Sequence, residues 1–153
     1  MHSIEQILRI MKKAIKIYIL DDNEYFGTML KDKISNKNRV VEHFRLEMDF
    51  IRRLKDKPDV IILDHKLENC TGLEILEIIK RKCGTTTHVI YLSGQEYLNV
   101  MLKALRNGAL EYVEKGITPL SYIDNIIDKI SKHSSHFTES INVNRYRSDS
   151  RVY

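Results

Sequence analysis

Val60-Ile61-Ile62-Leu63-Asp64 is an unbroken apolar run, rich in β-branched residues, that stops at a carboxylate. The same form precedes it as Ile17-Tyr18-Ile19-Leu20, ending at Asp21-Asp22, and follows it as Val89-Ile90-Tyr91-Leu92, ending at Ser93-Gly94. Apolar runs without polar alternation suit strands covered on both faces, which is the pattern of a parallel sheet. Two weaker runs, Val40-Val41 through Phe44 and Leu110 to Val113, bring the strand count to five.

Helical spacing fills the intervals. Phe26, Met29, Leu30 and Ile34 share one helical face, as do Ile51 with Leu54, and Leu73 with Leu76 and Ile79. Leu98, Met101, Leu102 and Leu105 form the next stripe, with Gly108 as its expected C-cap. Thr118-Pro119 reads as N-cap and first residue of a last helix, with Leu120, Ile123, Ile126, Ile127 and Ile130 inward. Strand and helix alternate five times, which predicts an α/β domain: a five-stranded parallel sheet, doubly wound, with helices on both faces, (βα)5.

Composition agrees with a single core. The chain has 153 residues, 42% of them hydrophobic and 30% charged, which excludes a disordered chain and a disulfide-stapled miniprotein. The net charge of +4 is uneven: residues 17–133 hold 18 basic and 18 acidic side chains, and the excess of +3 and +1 lies in the two ends. A neutral body gives no charge reason to bind nucleic acid. Cys70 and Cys83 form no clip pattern, no run of apolar residues is long enough to span a membrane, and Arg9, Lys12 and Lys13 interrupt anything like a signal peptide. The expected location is the cytoplasm. His2, His43, His65, His88, His133 and His136 show no ligand spacing, so no zinc site is expected.

The two ends read as appendages. Ser3 to Ile15 has the pattern of an amphipathic helix, opened by a Ser3–Gln6 capping box, with Ile4, Ile7, Leu8, Met11, Ala14 and Ile15 on one face. Such an extension (residues 1–13) suits dimerisation or a membrane surface, although Met11-Lys12-Lys13 also reads as an alternative start of the chain, with residues 1–10 an over-extension. Residues 134–153 are polar and aperiodic, and are expected to be a disordered tail in which Arg145, Tyr146 and Arg147 are solvated.

In an open parallel sheet, ligands bind beyond the carboxyl ends of the strands. The residues at those ends are Asp21 and Asp22, Asp64, Ser93, and Lys115 after the fifth run. Three clustered carboxylates raise one another's pKa unless a cation sits among them, and a hard divalent ion such as magnesium suits oxygen ligands. A Lys and a hydroxyl beside them could hold phosphoryl oxygens while a carboxylate acts as nucleophile. The chemistry is therefore phosphoryl transfer onto a carboxylate, Asp64 first among them. Each residue alone has a plainer reading: Asp21-Asp22 as a helix N-cap, Asp64 and Ser93-Gly94 as turn formers, Lys115 as a surface charge. Their coincidence at four strand ends of one sheet is what argues for a site.

Over residues 14–133 the chain resembles a receiver domain of two-component response regulators, of the stand-alone type. The pieces that carry the likeness are Ile-Leu-Asp-Asp at 19–22, Ile-Ile-Leu-Asp at 61–64, Gly72, Leu-Ser-Gly at 92–94, and Gly-Ala-x-x-Tyr-x-x-Lys at 108–115. The resemblance implies a flavodoxin-like (CheY-like) strand order. It also implies Asp64 as phosphoacceptor, Asp21, Asp22, Asp64 and the backbone carbonyl of Lys66 as magnesium ligands, Ser93 and Lys115 on the phosphoryl group, and Tyr112 as an aromatic switch moving with Ser93. Implied partners are a sensor histidine kinase or phosphotransfer protein, and a downstream protein met through residues 97–132, or a second copy of the chain. Such a domain catalyses only its own phosphorylation and dephosphorylation.

The sequence departs from the family where Gly116 replaces the usual Pro after the Lys and Glu68 replaces the usual Pro four residues after the acceptor. A cis bond to a non-proline residue costs about 2.5–4 kcal/mol, so a trans Lys115–Gly116 bond and an altered loop are expected. Glu68 adds negative charge near the metal. The rival readings are an unphosphorylated receiver-like dimerisation module and an aspartyl-nucleophile phosphohydrolase. The second would carry an acid two residues after the nucleophile, where this chain has Lys66, and usually needs a cap domain. A flavin-binding relative is weaker still, because no phosphate-cradling loop follows the first run.

Overall fold

The computed structural model describes residues 1–11, 13–94 and 97–133, with the side chains of 8–11 left aside. The strands are β1 (Ile15–Leu20), β2 (Arg39–Phe44), β3 (Val60–Asp64), β4 (His88–Ser93) and β5 (Glu111–Glu114). They form one all-parallel sheet in the order β2-β1-β3-β4-β5. This is the flavodoxin-like order, whose strand sequence reverses between β1 and β3 and opens a crevice at their carboxyl ends. The helices are α1 (Ile4–Met11), α2 (Glu24–Ile34), α3 (Glu47–Arg53) continued by a short 3-10 turn, α4 (Gly72–Cys83), α5 (Leu98–Arg106) and α6 (residues 120–133).

Alternation along the strands sorts the core into two layers. Ile17, Ile19, Val60, Ile62, Ile90 and Leu92 face α2 and α6, where they meet Leu30, Ile34, Ile123 and Ile127. Tyr18, Leu20, Ile61, Leu63, Val89 and Tyr91 face α3, α4 and α5, against Phe50, Leu54, Leu76, Ile79 and Ala104. The buried residues of the first layer are all aliphatic, with Phe26 packed at its border. The second contains aromatic rings, and two of them end in hydroxyls that reach polar partners.

At the amino end of β2, buried Arg39 fastens the sheet edge to the two helices beside it. Its guanidinium donates to the Ile34 carbonyl at 2.9 Å, to Asp128 at 2.7 Å and to Asp124, the last two on α6.

Several expectations need adjusting. The Ser3–Gln6 capping box forms, with Ser3 N–H on Gln6 Oε1 at 2.9 Å and Gln6 N–H on Ser3 Oγ at 3.2 Å. The helix it opens ends at Met11, however, because Ile15 is drawn into β1, its N–H donating to the Asn38 carbonyl and its register set opposite Arg39. Ala14 and Ile15 are thus not on the helical face. α6 starts at residue 120, after Pro119, whose carbonyl accepts the Tyr122 N–H, so Thr118 is one position too early to be the N-cap.

The apolar stripe of α5 also turns away from the sheet. Leu98, Leu102 and Leu105 are 64%, 37% and 41% exposed, while Ala104 and Val100 on the opposite side supply the core contact. The small Ala104 side chain lets the helix approach a sheet edge already filled by Tyr91 and Tyr112, and the leucines are left facing outward. Gly108 ends α5 as expected, at φ +95 with Ala109 N–H closing back onto Ala104. Residues 134–153, where the disordered tail was expected, lie outside the described residues.

Candidate functional site

The carboxyl ends of β1 and β3 lie side by side, Leu20 in register with Leu63, so the residues that follow each strand share one rim. Asp21, Asp22 and Asp64 each place a carboxylate oxygen there, all within 4.8 Å of one another. The N-cap alternative for the aspartate pair does not hold. Asn23 caps α2 instead, its Oδ1 accepting the Phe26 N–H at 3.0 Å, and the Asp21 carboxylate in turn holds the Asn23 N–H at 2.9 Å. One short polar residue thus takes the capping duty and leaves the carboxylates turned to the crevice.

Lys115 follows β5 and reaches the same point. Its Nζ donates to Asp21 Oδ2 at 2.5 Å and lies 3.0 Å from Asp64 Oδ1, with the Phe26 ring beneath it at 4.4 Å. Gly116 does not spoil this aim. Among the described residues every peptide bond is trans, and Gly116 sits at φ +82. A proline, fixed near φ −65°, cannot adopt that conformation, so the loop turns in a left-handed geometry in place of the family's usual one. Ser93, at the end of β4, is buried, and its carbonyl accepts the Lys115 N–H at 2.8 Å.

One ammonium does not neutralise three carboxylates. Burial pushes the Asp64 carboxyl up to about 6; the Asp21 charge adds to the rise and Lys115 opposes it. An imbalance of this kind, on hard oxygen donors, fits a divalent cation of the magnesium type. The carbonyl of Lys66 belongs to the same segment, in a loop closed by the Lys66–Thr71 bridge and by Leu67 N–H on the Cys70 carbonyl at 3.3 Å.

The segment after Asp64 is held from several sides. Gly72 opens α4 so close to the acceptor strand that a Cβ there would stand 2.4 Å from the Asp64 carbonyl and 2.8 Å from the Tyr91 hydroxyl, and its N–H donates to the His65 carbonyl at 2.7 Å. Thr71 N–H donates to Glu74 at 2.8 Å. Buried Glu47, in the first turn of α3, accepts the Asn69 N–H at 3.0 Å and the Asn69 side chain at 3.2 Å. Burial raises the Glu47 carboxyl, but these bonds outweigh it and hold it below the usual carboxylate range. In the loop where Glu68 replaces a proline, Glu47 supplies the tether.

On the other side of the rim, His43 Nε2 donates to the Asp21 carbonyl at 2.8 Å, and its ring occupies the space that a side chain at Gly27 would need. Tyr112 is half-buried and stacks on Tyr91, with centroids 6.0 Å apart and planes at 15°. The Tyr91 hydroxyl is 2.6 Å from His65 Nδ1. Burial raises the Tyr91 phenol and lowers the His65 imidazole, so the tyrosine keeps its proton and donates it to a neutral ring.

The charged and hydroxyl residues singled out from the sequence therefore lie at the carboxyl ends of β1, β3, β4 and β5, whereas Tyr112 sits within β5. Asp21, Asp22, Asp64 and Lys115 converge directly, Ser93 and Lys66 flank them, and Tyr112 stands behind Tyr91. Sequence reading missed His43, Glu47, Phe26 as the floor under Lys115, and Tyr91. Gly27 was a usable signal for His43, since a glycine inside a helix costs about 0.5–1 kcal/mol relative to alanine and calls for a reason. Glu47 and Tyr91 gave no comparable signal.

The chain matches the response regulator receiver domain family over residues 17–127. It is 28% identical over 106 residues to a protein-glutamate methylesterase/protein-glutamine glutaminase of Thermotoga maritima, an alignment covering 67% of this chain and 31% of that protein. The chain spans about a third of the length of the curated relatives it matches. Among solved structures, the response regulator domain of Thermotoga maritima CheB aligns at 28% identity with a TM-score of 0.65, covering 78% of this chain and 96% of that one. A CheY-like receiver domain protein of Methanospirillum hungatei shares the fold at a TM-score of 0.71 and 20% identity, with 81% and 99% of the two chains covered.

Proposed function

Since the chain belongs to the response regulator receiver domain family, we propose that residues 14–133 work as a phosphorylation-controlled switch in a phosphorelay, with Asp64 as the phosphoacceptor. The observation that carries this reading is the convergence of three carboxylates and one ammonium at the β1/β3 crevice. A carboxylate oxygen of Asp64 attacks the phosphorus of a phosphohistidine on a sensor kinase or phosphotransfer protein. The P–N bond breaks as the P–O bond forms, and the departing imidazole takes its proton from solvent. Asp21, Asp22, Asp64 and the Lys66 carbonyl would hold magnesium, which supplies positive charge against the phosphoryl oxygens when bound. Lys115 moves its hydrogen bonds from carboxylates to the phosphoryl group, and the Ser93 hydroxyl donates to another of its oxygens. Tyr112 then turns inward in the wake of Ser93.

The chain is in this reading a substrate with catalytic groups, not a turnover enzyme, and it acts in the cytoplasm. Output passes through residues 97–132, a reading supported by the leucine stripe of α5 that faces solvent. The test is intact-mass spectrometry after incubation with acetyl phosphate, with and without magnesium. The wild type should gain one phosphoryl group only with magnesium, and Asp64→Ala should gain none. A wild type that gains nothing and binds no magnesium overturns the reading in favour of an unphosphorylated dimerisation module.

A further inference from the structure

Leu63, Tyr91 and Tyr112 stand in a row across β3, β4 and β5, each in register with the next, on the layer that faces α3, α4 and α5. Tyr91 is fully buried, yet the partner of its hydroxyl does not belong to its own strand. The oxygen lies 2.6 Å from Nδ1 of His65, the residue bonded to the acceptor. It also fills the place that a side chain at residue 72 would take. The other face of the Tyr91 ring is the wall on which Tyr112 stacks. A phenylalanine would fill the core as well and would leave no buried hydroxyl to satisfy.

We propose that Tyr91 is a positioning residue that ties the Asp64–His65 segment to the Tyr112 ring, giving the acceptor a second path to the switch beside Ser93. This rests on the phosphoacceptor reading of Asp64 given above. The His65 ring is carried by the peptide that bears Asp64, so a shift of that peptide on phosphorylation moves the ring. The bonds from His65 N–H to the Leu92 carbonyl at 2.8 Å and from Gly72 N–H to the His65 carbonyl at 2.7 Å set the limits of that movement. The hydroxyl carries that shift into the Tyr91 ring. Tyr112 stacks on that ring, so a change in the ring's position alters the surface against which Tyr112 turns.

The experiment uses the full chain with ring-13C-labelled tyrosine, the Tyr112 signal being the one lost in Tyr112→Phe. Spectra are recorded with magnesium before and after acetyl phosphate, and phosphoryl content is read in parallel by intact mass. Tyr91→Phe keeps the ring and removes the oxygen. It should take up phosphoryl within about twofold of the wild-type rate, whereas the Tyr112 shift should fall to less than half. His65→Phe, on the more accessible side of the bond, should reproduce that loss, and the double variant should lose no more than either single one. A purely packing role for Tyr91 would leave the Tyr112 response whole. A phosphorylated Tyr91→Phe with a full Tyr112 shift, or additive losses in the double variant, overturns the inference. Absence of phosphoryl uptake by the wild type overturns the phosphoacceptor reading, and this one with it; the mass readout separates the two failures.

Discussion

Two places in the molecule set one cation among carboxylates, and they are built to opposite ends. At the amino edge of the sheet, Arg39 spreads its guanidinium over Asp124, Asp128 and the Ile34 carbonyl. At the carboxyl rim, Lys115 faces Asp21 and Asp64, with Asp22 close by. Neither cluster is neutral, but the excess charge is solvated at one and buried at the other. The Asp124 and Asp128 side chains are 33% and 54% exposed, against 0% and 7% for Asp21 and Asp64. A forked guanidinium with five donors saturates its partners, whereas a single ammonium over three carboxylates leaves acceptors wanting. The difference separates a cluster that holds the fold from one that, under the proposed function, would hold a ligand at the fold's expense.

Breaking the lower cluster should have the larger effect on stability. Arg39→Met keeps much of the stem and removes every donor, so β2 loses its ties to α2 and α6. Water can still reach both aspartates, so the expected loss is about 2–3 kcal/mol, below the range for a fully buried pair, read by urea unfolding at neutral pH.

Breaking the upper cluster should have the opposite sign. Asp64 has its folded pKa raised to about 6 against an ordinary 3.8, so the native state binds protons that the unfolded chain releases. Without metal, the Asp64 contribution to stability, read as the wild type minus Asp64→Asn, should therefore fall as pH rises from about 4 to about 6, while His65 and His88, held low by burial, act in the opposite sense in both proteins. Asp64→Asn should stabilise the metal-free protein by about 1–2 kcal/mol at pH 7, after discounting for residual solvent screening. That gain should fade towards pH 4. Magnesium should raise the Tm of the wild type and do much less for the variant. An Asp64→Asn gain that shrinks as pH rises from about 4 to about 6 without metal would remove the contrast between the clusters.

The smallest effect sharpens the comparison at the joint that aims Lys115. Gly116→Ala places a Cβ at φ +82 and should cost about 1 kcal/mol. Nothing stands within 4 Å of that Cβ, so the cost is one of backbone conformation. Phosphoryl uptake from acetyl phosphate should slow with it, as Lys115 loses its aim.

Sequence reading reached one of these clusters and not the other, and the reason is physical. Asp64 and Ser93 end their strands and Asp21 and Lys115 directly follow theirs, and in a parallel sheet every strand end points to the same rim, so local pattern and topology together bring them into one place. Arg39 meets residues 85 and 89 positions away on a helix face, and no period or spacing announces such a pair. Glu47 and Tyr91 were invisible for the same reason. The α5 stripe misled in the other direction: its spacing marks an amphipathic face correctly, but periodicity cannot say whether that face meets the sheet or solvent. The strand-and-helix alternation needed no such help, because two layers of helices demand apolar side chains at nearly every position of the central strands β1, β3 and β4.

The Arg39 clasp has a consequence for how the chain is made. During synthesis at about 5–20 residues per second, β2 emerges long before α6 does. Until the last helix has left the ribosome, a guanidinium destined for burial has neither of its aspartates, and one edge of the nascent sheet stands open with its aliphatic face uncovered. Closure of the domain is therefore a late, long-range event. Nascent chains stalled before residue 120 should be held by chaperones and cut by proteases, and those stalled well beyond residue 133 should resist both.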